Sequence, residues 1–207
     1  MNKKMFIVTI PKRLREGMND IRYVVHGAEE YITEPGIFPS VSLIEKAAAD
    51  ASLIKVAAII TEDDSGSSER NLSEFRQTIA LISERTGTAI ELVCVIRAMN
   101  DEVRAKQMNL FRDICSVYEE GTEIYVDVTY GTKITSLVLM STLSYAEKIR
   151  NCEIKSIIYG NAFGKSETDN LGDIYDVRCL YELFMLMGCL DDMPKDMAEK
   201  MISGLLE

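Results

Sequence analysis

The 207 residues hold one histidine, four prolines and five cysteines. Each scarcity closes off a class of protein. A Ser-His-Asp or Cys-His catalytic pair must use His26, which stands before Gly27 at the end of an extended stretch, where a surface or half-buried role is the common one. Cys94, Cys115, Cys152, Cys179 and Cys189 are odd in number and nowhere at C-x-x-C spacing. That argues against a disulfide framework or a zinc site, and for reduced thiols in a cytoplasmic protein. Four prolines and 12 glycines leave no room for a low-complexity linker. No apolar run approaches the roughly 20 residues that span a bilayer. The short stretch Met5–Ile10 is followed at once by Lys12 and Arg13, without a small-residue cleavage site, and reads as a strand rather than a signal peptide. Positive charge is also short. Lysine and arginine number 23 against 33 acidic residues, a net charge of -10, so a broad basic face for duplex nucleic acid or an anionic membrane is excluded. A local pocket for a small anion is not.

What is present alternates between apolar runs and helical patterns. Met5–Ile10 reads as a strand buried on both faces, and Ile21–Val25 as a second extended stretch. Residues 31 to 39 read as loop around the Pro35-Gly36 turn. A helix is expected from Ser40, as N-cap, to about Ser52, and a strand over Lys55–Ile60. After the polar loop 61–68, Leu72, Phe75, Ile79 and Ile82 recur at helical spacing, stopped by Gly87. Ala89–Ile96 reads as a third core strand. Glu102–Tyr118 reads as a helix with Val103, Met108, Phe111, Ile114 and Cys115 inward. A strand over Glu123–Val128, a helix over Ile134–Ile149 and a strand over Glu153–Tyr159 follow. A short strand at Ile174–Val177 and helices near Cys179–Met187 and Met197–Leu206 complete the chain. Strands separated by helices predict an α/β protein: a Rossmann-like, mostly parallel sheet with helices on both faces. The expected division is a domain over 1–178 and a helical extension over 179–207.

In such a sheet the loops leaving the strands open on one edge, where ligands bind. The most informative of them is Asp127-Val-Thr-Tyr-Gly-Thr-Lys133, where a strand hands over to a helix. Gly131 permits a tight turn or a close approach of ligand to backbone. The free N–H groups of the helix start suit an anion, Thr129 and Thr132 offer hydroxyls, and Lys133 adds a point charge. The plainer reading stays open: Thr132 caps the helix and Lys133 is solvated. P-loop spacing is missing, and no G-x-G-x-x-G follows the first strand, so no dinucleotide cofactor is expected. The Asp63-Asp64 and Asp191-Asp192 pairs read as solvated or capping rather than as a metal site. Lys3, Lys4, Lys12, Arg13 and Arg15 make the amino-terminal segment a local reversal of the overall charge. It suits a polyanion pocket or, equally, a solvated loop.

Three blocks together resemble the CRISPR-associated Rossmann fold (CARF) domain, in the branch found in Csx- and Csm-type accessory proteins of type III CRISPR systems. They are residues 23–61, with Ser40-Val-Ser-Leu-Ile-Glu45 and Lys55–Thr61; Asp127–Lys133 running into an apolar helix; and Ile157-Ile-Tyr-Gly160 followed by Ile174-Tyr-Asp-Val177. The resemblance implies a homodimer that binds one cyclic oligoadenylate across its two-fold axis at the strand-end edge. It implies that Thr129, Gly131, Thr132 and Lys133 line the floor. Position in the strand-end loops adds Thr9, Lys12, Arg13, Thr61, Arg97, Asn100 and Asn161. Family members commonly carry a nuclease domain after the sensor. Here about thirty residues follow Val177, without histidine, so the expectation is a sensor alone that signals to a separate effector protein. Two alternatives stay open. In a metal-independent ring nuclease, Lys133 and Thr132 would assist attack of a ribose 2′-hydroxyl on the adjacent phosphate. An unrelated Rossmann-like nucleotide-binding enzyme is the other.

Overall fold

The computed structural model describes residues 3–13, 21–27, 31–62, 65–99, 103–161 and 170–206. The chain divides into two compact units, Met1–Asp176 and Val177–Glu207.

The first unit is an α/β domain around one eight-stranded, mostly parallel sheet. Its strands are β1 (Lys3–Thr9), β2 (Arg22–Val25), β3 (Tyr31–Ile32), β4 (Leu53–Thr61), β5 (Ala89–Arg97), β6 (Glu123–Asp127), β7 (Glu153–Asn161) and β8 (Leu171–Asp176). The order across the sheet is β3-β2-β8-β7-β6-β1-β4-β5. β5, β4, β1, β6 and β7 are mutually parallel. β8 turns back antiparallel to β7, β2 runs parallel to β8, and β3 closes the edge antiparallel to β2. The helices are α1 (Ser40–Ala48), α2 (Ser67–Thr86), α3 (Arg104–Val117) and α4 (Lys133–Arg150).

The continuous apolar runs of β1 and β4 become central strands, because only a strand covered on both faces buries every side chain. From Lys4 to Thr9 no β1 residue is exposed. Lys4 is accommodated by its ion pair with Asp50 and a bond to the Ala47 carbonyl. Phe6, Val8 and Ile10 pack with Ile44, Ala47 and Ala48 of α1 and with Leu72, Phe75, Ile79 and Ile82 of α2. Met5, Ile7 and Thr9 point to the opposite face by strand alternation. There α3 and α4 pack together, burying Ile114, Leu139 and Leu143. Helices therefore cover both faces. Gly87, left-handed at φ 72°, ends α2 where a side chain would be strained.

Several local expectations are corrected. Tyr31–Ile32 forms a short strand rather than loop, because its backbone pairs with β2. Ser40 is the first helical residue of α1 and not its cap, a position held by Pro39. Ala89–Arg97 is an edge strand, paired with β4 alone, which leaves Cys94 and Ile96 exposed. Val103 and Met108 are exposed, and Leu110 joins Ile114 and Cys115 on the buried face of α3.

The second unit holds α5 (Arg178–Cys189), a 3-10 turn (Leu190–Asp192) and α6 (Lys195–Leu206). An i,i+4 pair, Arg178–Glu182, runs along α5, and Leu180, Leu183 and Phe184 of that helix are exposed. No described helix is long and apolar enough to cross a membrane.

Candidate functional site

Chain direction fixes where a ligand crevice opens. From β1 the parallel sheet is built outward to β4 and β5, then resumes on the other side of β1 with β6 and β7. The carboxyl ends of β1 and β6 flank the switch point, the usual ligand position in such sheets. Thr9 ends β1, Asp127 ends β6, and residues 128–132 lead from β6 into α4.

Gly131 makes this turn possible. Its φ is 100°, a conformation that L side chains rarely adopt, and a Cβ would lie 2.9 Å from Thr9 Cγ2 and 3.4 Å from Thr135 Cβ. Thr132 caps α4, its Oγ1 accepting from the Thr135 amide at 3.2 Å. The cap takes one N–H of the first turn; the amides of Lys133 and Ile134, also in that turn, have no intrahelical partner. Arg97, buried at the end of β5, reaches across β4 toward the same point. Its Nε and Nη2 donate to Thr61 Oγ1 at 3.3 and 2.9 Å, and its Nη1 donates to Thr132 Oγ1 at 3.2 Å. Thr9 Oγ1 is buried without a hydrogen-bond partner among the described residues. The fold thus brings Thr9, Thr61, Arg97, Gly131 and Thr132 together at one helix start.

The remaining sequence candidates are arranged around that group. Lys133 is exposed and makes no hydrogen bond or ion pair with the described residues. Lys12 is half-buried, its Nζ 3.2 Å from Met99 Sδ, which sets the loop after β1 against the loop after β5. Arg13 is exposed, and Asn100 lies outside the described residues. Asn161 ends β7 opposite Asp173 of β8, on the far side of β6 from Arg97. Thr129 faces β7 too: its Oγ1 accepts from the Gly160 amide at 2.7 Å, and its own amide donates to Asp127 Oδ1 at 2.9 Å. It staples the ends of β6 and β7.

Behind that staple lies a buried polar cluster to which the sequence reading gives no role. Asp127 is fully buried, and burial pushes its carboxyl above the usual carboxylate range. The Thr129 hydroxyl and amide oppose the shift, as does Ser40 from the start of α1. Ser40 approaches without completing a bond: Asp127 Oδ2 and Ser40 Oγ are both buried and lack a partner in hydrogen-bond geometry among the described residues. Beside them the Tyr130 hydroxyl donates to the Ile37 carbonyl at 2.6 Å, and burial raises Tyr23 to about 12. Gly160 has no space for a side chain, since a Cβ would meet Pro39 Cγ at 2.5 Å. The one sequence signal for this cluster is an aspartate closing an otherwise apolar strand.

His26 is half-buried, 2.8 Å from Asp173 and stacked on Tyr175 at 4.9 Å between ring centroids. Among the described residues, no group of three or more His, Cys, Asp or Glu is placed to hold a metal ion. Asp63 and Asp64 lie outside the described residues. No protein-family model matches the chain, and no curated protein matches it significantly.

Proposed function

We propose that this chain binds a cyclic oligoadenylate at the strand-end rim, across the two-fold axis of a homodimer, and passes the signal to a separate effector. The observation that supports this reading is the anchored helix start: Gly131 in its left-handed turn, Thr132 capping α4, and the buried Arg97 guanidinium bonded to that cap. A ring of phosphates needs a few fixed donors and cations, not a basic face, which agrees with a net charge of -10. The exposed Lys133, without a partner among the described residues, suits a contact supplied from outside the chain. A two-fold axis doubles each donor and cation, matching a ligand with its own rotational symmetry.

The test is incubation of purified protein with labelled cyclic tetra- and hexa-adenylate at two salt concentrations. Retention of intact ring, weakened by salt and by Lys133→Ala, supports the sensor. Linear product carrying a 2′,3′-cyclic phosphate, lost in Lys133→Ala, moves the assignment to a ring nuclease in the same pocket. A mononucleotide bound by a single chain, with no affinity for the ring, refutes both.

A further inference from the structure

A cavity of about 240 Å³ opens on the helical layer opposite α4, between loop 33–39, α1 and α2. Tyr23, Ile37 and Phe38 give it a buried apolar lining. The loop is firmly fastened. The Thr33 amide donates to the Tyr23 carbonyl at 2.8 Å and the Gly36 amide to the Ile21 carbonyl at 2.9 Å. Thr33 Oγ1 accepts from the Tyr23 amide at 2.9 Å. The cavity is therefore preformed, as binding pockets usually are. It is also smaller than the ~300–1,000 Å³ of sites for drug-sized ligands, which suits one side chain better than a nucleotide.

Its charge selects the side chain. Each of the three walls contributes one carboxylate, Glu34 from the loop, Glu45 from α1 and Glu74 from α2, and among the described residues no lysine or arginine lines it. Glu45 already holds one guanidinium of this chain, that of Arg85. Glu34 and Glu74 make no ion pair with any described residue. We propose that this cavity is the docking pocket for an arginine side chain of a partner protein. A guanidinium is planar and weakly hydrated, so its flat face tolerates an apolar wall while its edge donates to carboxylates in a forked geometry. A lysine ammonium is a compact, strongly hydrated point charge and fits a slot with an apolar wall less well. The pocket and the α4 start occupy opposite helical layers, so this proposal stands or falls independently of the cyclic-ligand reading.

The test is a titration of ¹⁵N-labelled full-length protein with N-acetyl-arginine methylamide, its citrulline counterpart and its lysine counterpart, read from backbone amide shifts. For arginine the expected result is a saturable shift confined to loop 33–39 and the first half of α2, with a Kd on the order of 1 mM, typical of a single weak contact. The neutral citrulline counterpart should give none. Glu34→Gln with Glu74→Gln, both at exposed positions, should weaken arginine binding at least about tenfold while Lys133→Ala leaves it unchanged. Thr78→Trp, which fills the cavity from α2, should abolish it. Shifts scattered over the acidic surface, equal shifts with citrulline, equal or tighter lysine binding, or insensitivity to the double substitution would each overturn the proposal.

Discussion

Replacing Gly131 by alanine tests the turn on which the candidate site depends. Two costs add. The first is backbone strain: at φ 100° a non-glycine residue sits outside its allowed regions. That costs about 1–3 kcal/mol. The second is steric, because the new Cβ stands 2.9 Å from Thr9 Cγ2, closer than real Cβ contacts allow, and Thr9 is buried and unable to swing away. Overpacking of this kind costs about 1–3 kcal/mol. Taking about 1.5 kcal/mol from each gives about 3 kcal/mol, or a fall of about 6–12 °C in Tm for a chain of this length. The two costs separate in a double-mutant cycle with Thr9→Ser, which deletes the opposing methyl group. Thr9→Ser alone should cost about 1 kcal/mol for a buried methyl. Combined with Gly131→Ala it should relieve the clash but not the strain, giving a favourable coupling of about 1 kcal/mol. Urea melts of the four proteins measure every term. A neutral Gly131→Ala, or additivity within about 0.3 kcal/mol, would refute the geometry argued for this turn.

Three further outcomes follow from the same site. Asp127 holds its proton more tightly folded than unfolded, so its contribution to stability is present at low pH and is lost as pH rises through the ordinary carboxylate range, near about 4, toward its raised folded value; Asp127→Asn should therefore gain on the parent protein in urea midpoint between pH 4 and 7, and a constant difference would contradict the burial assignment. Thr129→Val leaves the Gly160 amide without its acceptor, which should cost about 1–3 kcal/mol and speed hydrogen exchange at that amide relative to its neighbours. Arg97→Met removes the guanidinium bonds to Thr61 and Thr132 and should destabilise the chain by about 2 kcal/mol, whereas the exposed Lys133→Ala should stay within about 0.5 kcal/mol by thermal melt.

The parallel core could be read from the chain because its strands carry uninterrupted apolar runs. Phe6 to Ile10 and Val56 to Ile59 bury both faces, and only a central strand tolerates that pattern. The flank was harder. Tyr31–Ile32 has too few residues for any period to register, and its strand identity comes from pairing with β2 alone. Val103 and Met108 carry an inward pattern yet are exposed, since helical spacing marks a face as apolar without saying what covers it. At the site, Gly131 and Thr132 announce themselves through turn and capping chemistry that acts over a few residues. Arg97 could be proposed from its place at a strand end, but its bond to Thr132 spans 35 positions and reaches across β4. Asp127 was seen only as part of a motif. Its burial against Ser40 depends on α1 returning to the end of β6, a long-range event without a local signature.

Native mass spectrometry of the protein titrated with cyclic tetra-adenylate decides whether two chains complete one anion site, as proposed. The expected species is two chains carrying one ring, lost on raising ionic strength or on Lys133→Ala. A single chain that binds the ring alone, or a dimer that ignores it, would overturn the proposed shared site.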